Sequence, residues 1–86
     1  MIELKAAKNS NVRKLAGAIA GTIKDENEVA VVSIGTEALY KAVKAACIAT
    51  SFLKRADKEL KVTPVVKGAV VSDKKTEIVH LICSIG

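Results

Sequence analysis

The chain has 86 residues, half of them apolar, with 14 Lys and Arg against 9 Asp and Glu and a formal net charge of +5. That length supports one compact core hiding roughly 60% of the unfolded surface, so a single domain over 1–86 is expected. Tyr40 and Phe52 are the only aromatics, which argues against a base-stacking surface and leaves the core to Ala, Val, Ile and Leu.

Ile2, Leu4 and Ala6 alternate with Glu3 and Lys5, so a first strand is predicted over 2–7. The polar run KNSN supplies a helix cap in Asn9 or Ser10, and the first helix is predicted from Asn11 or Val12 to about Lys24. Val12, Leu15, Ala16, Ile19, Ala20 and Ile23 form its buried stripe. Gly17 and Gly21 lie one turn apart in it. Each weakens helix propensity by roughly 1 kcal/mol relative to Ala, which points to a close backbone approach, read first as packing onto the sheet.

After an acidic turn, VAVVSI at 29–34 is nearly continuous in apolar and β-branched residues, the pattern of a central strand covered on much of both faces. Gly35 ends it. Thr36 is the expected N-cap of a second helix reaching about Arg55, with Glu37 at its positive end. That helix is apolar over most of its girth, with Lys41, Lys44, Ser51 and Arg55 as a polar edge that includes Ile48. So broad an apolar surface is expected to meet a second subunit as well as its own sheet.

Residues 60–71 and 74–85 are predicted to be two strands joined through SDKK as a hairpin. Pro64 lacks the amide that an interior ladder needs, which puts the third strand at an edge, while IVHLICSI reads as central. The expected fold class is therefore an α/β two-layer βαβαββ domain, sheet order 1-2-4-3, both helices on one face and His80 with Ile78 and Ile82 on the other.

Catalysis is not expected. His80 is the lone histidine, in a strand and without an evident acidic partner, and no phosphate-binding loop or dinucleotide motif is present. Cys47 and Cys83 lack metal-ligand spacing and read as small buried hydrophobes in a reducing, cytoplasmic setting. No cofactor, metal, small-molecule substrate or membrane span is suggested. Charge is sorted instead: 1–24 is basic apart from Glu3, 25–37 is acidic, and Lys41 to Arg55 is purely basic. Patches of one sign favour a polyanionic partner. Lys8, Asn9, Ser10, Asn11, Arg13 and Lys14 surround the first helix start as a candidate phosphate cradle, with simple helix capping the alternative.

The run KNSNVRKLAGAIAG at 8–21 and SIGTEALYKAVKAACIA at 33–49, in the βαβαββ order, resemble the stage V sporulation protein S family of the Alba superfamily across almost the whole chain. The resemblance implies an Alba-like fold, related to the C-terminal domain of bacterial translation initiation factor three. It also implies a homodimer that binds DNA or RNA in sporulation gene control. Alba proteins hold the nucleic-acid backbone with the loop after the first strand, the second helix start and a basic hairpin. Here these correspond to Lys8–Asn11 with Arg13 and Lys14, to the helix start with Lys41, and to Lys67, Lys74 and Lys75. Thr36 and Glu37 stand where archaeal Alba proteins carry arginines. The alternative is a protein-interaction module acting through another regulator, by the second helix or the open sheet face.

Overall fold

The computed structural model describes residues 1–71 and 74–86, with side chains described outside 69–76. Its elements are β1 (Glu3–Ala6), α1 (Val12–Glu26), β2 (Glu28–Ile34), α2 (Thr36–Lys54), β3 (Leu60–Val71) and β4 (Lys74–Ile85). One four-stranded sheet has the order β1-β2-β4-β3, the predicted one. β1 and β2 are parallel because a helix crosses between them, while β2–β4 and β3–β4 are antiparallel. β3, with Pro64, is an edge strand as expected. The two residues at the turn of the predicted SDKK hairpin, Ser72 and Asp73, lie outside the described residues.

The register assigns each strand residue to a face. Leu4, Val31, Leu81 and Pro64 form one row across the sheet, and Ala6, Ser33, Val79 and Val66 the next. These rows face the helices: Ala6, Val29, Val31, Val79, Leu81 and Cys83 join Leu15, Ile19, Ile23, Ala42, Ala45, Ala49 and Leu53 in one buried cluster. Ser33 is buried among them, and its hydroxyl donates to the Val79 carbonyl at 3.3 Å, which offsets the desolvation of that group. Alanines at 16, 20, 42, 45, 46 and 49 are all buried, so α1 and α2 approach each other over side chains of one carbon.

Several local expectations change. Asn11, one or two residues beyond the expected Asn9 or Ser10, caps α1, accepting from the amides of Arg13 and Lys14 at 3.0 Å each. α1 continues past Lys24 to Glu26 and stops at Asn27, whose φ of 67° and amide bond to the Ile23 carbonyl close it in the left-handed conformation. Gly35, not Thr36, is the N-cap of α2, at φ 90° and ψ 164°. Only glycine adopts that backbone readily, which is why the strand-to-helix corner falls there.

Gly17 and Gly21 do not pack onto the sheet. Both are exposed, and a Cβ at either meets no atom within 4 Å. Gly17→Ala and Gly21→Ala should therefore each raise stability by roughly 0.5–1 kcal/mol, read as a higher urea midpoint at unchanged m. A lower midpoint for either would contradict an open helix face.

The cysteines also divide. Cys83 is buried, with its thiol pushed up to about 11 by desolvation, whereas Cys47 is exposed on α2, contrary to the expectation that both are buried. Ile48 packs partly against the core instead of standing on the polar edge, while Val43 is left exposed.

Candidate functional site

The carboxyl ends of β1 and β2 and the amino ends of α1 and α2 all lie at one pole of the sheet, because each helix runs back antiparallel to the strand before it. The arm formed by β3 and β4 begins at the same pole. Ile34 at the end of β2 pairs with Ile78, which pairs with Lys67, and from Gly68 onward β3 has only β4 beside it. A cleft of about 540 Å³ opens here, lined by Lys5, Lys8, Val32, Ile34 and Gly35 to Ala38, with Ala6 and Ala7.

The loop between β1 and α1 is knitted by its own polar groups. The Ser10 hydroxyl accepts from the Ala7 amide at 2.8 Å and the Ser10 amide donates to the Ala7 carbonyl at 3.0 Å. Asn11 takes two of the amides at the start of α1. Ser10 and Asn11 thus build the loop, and the Arg13 and Lys14 amides at this helix start are already engaged. What remains outward is cationic and polar: Lys8, Asn9, Arg13 and Lys14 are exposed.

α2 differs at its start. Gly35 has no side chain to cap it, so the amides of Thr36, Glu37 and Ala38 border the cleft without a side-chain partner, while Leu39 already donates to the Gly35 carbonyl. The positive end of the helix dipole points to the same place. The Glu37 carboxylate occupies this rim too and opposes an anion there.

Lys5, Lys8, Arg13, Lys14, Lys41 and Lys67 belong to this pole, against Glu37 and Glu77. At the other pole Lys24, Lys54, Arg55, Lys58 and Lys61 are balanced by Asp25, Glu26, Glu28, Asp57 and Glu59. The excess charge of the described residues is therefore concentrated at one end. The side chains of Lys74 and Lys75 lie outside the described residues, although their backbones pair with Val71 and Val70 in the arm. Lys5 joins these cations from β1, where the sequence reading begins the site at Lys8. Its i+3 spacing to Lys8 across a strand end was the available signal.

His80 has a partner that sequence spacing does not reveal: its Nδ1 lies 4.0 Å from Glu3 Oε2, brought there from β1 across β2. Among the described residues no cluster of three or more His, Cys, Asp or Glu is arranged to hold a metal, and no helix is long and apolar enough to cross a membrane.

A family model described as Stage V sporulation protein S (SpoVS) matches residues 2–85. Among solved structures, Alba from Thermoplasma volcanium superposes with a TM-score of 0.68, at 12% identity, over 95% of this chain and 98% of that one. No curated protein matches this chain.

Proposed function

The chain belongs to the stage V sporulation protein S family and has an Alba-like fold, and on that premise we propose that it is a nucleic-acid-binding protein of sporulation that grips phosphate backbones with one pole of its domain. The observation that carries this reading is the convergence there of six cations, an uncapped helix start and the base of a two-stranded arm. A phosphate backbone is met by cations and amides without regard to sequence, so this grip is expected to tolerate any sequence. In this reading the protein binds and performs no chemistry, acting in the cytoplasm on DNA or RNA.

It also acts as a homodimer. Tyr40, Val43 and Phe52 on α2, with Val62 and Val66 on the helix-facing side of β3, are large apolar side chains left exposed on one layer. Burying them against a second copy removes the least soluble part of the surface and doubles the cationic pole.

The test is a titration of the full chain against generic duplex DNA and against RNA at several salt concentrations. Six cations each neutralising one phosphate give a slope of log affinity against log salt of about −5 per protomer on duplex DNA. Binding that ignores salt, or none at low salt, rejects the reading.

A further inference from the structure

The face of the sheet turned away from both helices is unusual for one open to water. Where only one face is covered, the outward positions are normally polar. Here β2 turns Ala30, Val32 and Ile34 outward, and β4 turns Ile78, His80 and Ile82. Ile34 and Val65 are exposed, and Val32, Ile78 and Ile82 partly so. These residues form an apolar trough two strands wide. Its wall on β3 is cationic, with Lys61 and Lys67, while the wall on β1 carries Lys5 beside Glu3, whose carboxylate reaches across β2 to His80 at 4.0 Å.

We propose that this trough is a docking surface for an amphipathic helix of another protein, one whose apolar stripe is flanked by Asp and Glu. The dimensions fit. The lysine-bearing outer strands are about 14 Å apart, three strand spacings, and an α-helix with its side chains is about 10–12 Å across. Lys61 and Lys67 are six residues apart in β3, about 20 Å, which a helix of about 13 residues spans. A helix laid there gives the sheet its missing third layer and pairs acids with the wall lysines, a helix-in-groove mode of recognition.

The surface disfavours the other occupants. Nucleic acid on a sheet face needs aromatic rings to stack on, and Tyr40 and Phe52 are both on α2, in the opposite layer. A second copy would bring α2, whose exposed stripe is edged by Lys41, Lys44 and Lys54, so lysines would face lysines. Lys61 stands at the pole remote from the proposed nucleic-acid grip, which leaves its position in the trough wall unexplained by that function.

The experiment titrates methyl-labelled full-length protein with an 18-residue synthetic helix carrying Leu at i, i+3, i+4 and i+7 and Glu on both flanks. A Lys-flanked version and a sequence-scrambled version serve as comparisons. Saturable shifts are expected at Val32, Ile34, Val65, Ile78 and Ile82, with Val43 unmoved. The Lys-flanked peptide should bind at least tenfold more weakly. Lys61→Glu should weaken the Glu-flanked peptide severalfold while leaving the affinity for duplex DNA unchanged, and Val65→Asp, with an otherwise native spectrum, should abolish peptide binding. Absence of shifts at millimolar peptide overturns the proposal. So do equal binding of the two flanked peptides, shifts mapping to α2, concentration-dependent shifts of the same methyls without peptide, or movement by a generic RNA of Val65, Ile78 and Ile82, which lie outside the cleft.

Discussion

Replacing Lys8, Arg13 and Lys14 together by Gln is expected to lower affinity for generic duplex DNA by about a hundredfold or more near 0.1 M salt. The three side chains are exposed and bracket the start of α1, where Asn11 takes the Arg13 and Lys14 amides and the cations are the groups best placed to reach a phosphate. Each lost phosphate contact removes about 0.9 from the salt slope, so the slope should flatten by nearly 3. The same substitution at Lys24, Lys54 and Arg55 changes net charge equally but at the opposite pole, where acids balance the bases. It should alter affinity less than about threefold, since exposed charges more than about 10 Å away are largely screened. The measurement is an equilibrium titration over a salt series with circular dichroism as a check on folding. Equal losses from both triple variants would show a diffuse attraction in place of a defined pole.

Ile19→Ala is expected to destabilise the domain by about 3 kcal/mol, lowering Tm by roughly 10–20 °C. The core holds few large side chains: Ile19, Ile23, Leu53, Val29 and Val31 are its main fully buried ones, and most other buried positions of the two helices are alanine. Neighbouring alanines have little side chain with which to collapse into a vacated volume, so the cavity persists. With a total stability typically between 5 and 15 kcal/mol, one such loss is a large fraction. Thr63→Ala, exposed on the other face of the edge strand, should change stability by less than about 0.5 kcal/mol. Thermal denaturation of the two variants side by side decides it; a similar small loss from both would mean that the large side chains do not carry the core.

The element order and the sheet order were legible because they rest on strong, local signals: the 3.6-residue stripe from Val12 to Ile23, the nearly continuous apolar run at 29–34, and a proline that can sit only where no ladder amide is needed. Capping was legible to within a residue or two. KNSN offers three polar side chains to cap one helix start, and the choice of Asn11 depends on the turn that Ser10 and Ala7 make. Gly17, Gly21 and Cys47 are exposed, against expectation, for a common reason. Small residues report that something is close or that nothing is, and periodicity alone does not separate these. The convergence of cations at one pole was only half visible. Lys8 and Arg13 are neighbours in sequence, but Lys5, Lys41 and Lys67 reach the same end through two parallel crossovers and an antiparallel return.

The sheet order has a kinetic consequence. β2 finds its second neighbour in β4, with Ile34 opposite Ile78 and Glu28 opposite Ser84, so the middle of the sheet closes a loop of more than forty residues. Until β4 is in place, β1–β2 and β3 have no strand between them and the apolar rows of Val29, Val31 and Ser33 have no partner. Closing such a distant contact costs chain entropy before any pairing repays it, which slows folding of this topology relative to a helical bundle of the same size. On a ribosome, the domain must wait for its last strand to emerge before the sheet can assemble, and a fragment lacking β4 exposes two unsatisfied strand edges to aggregation.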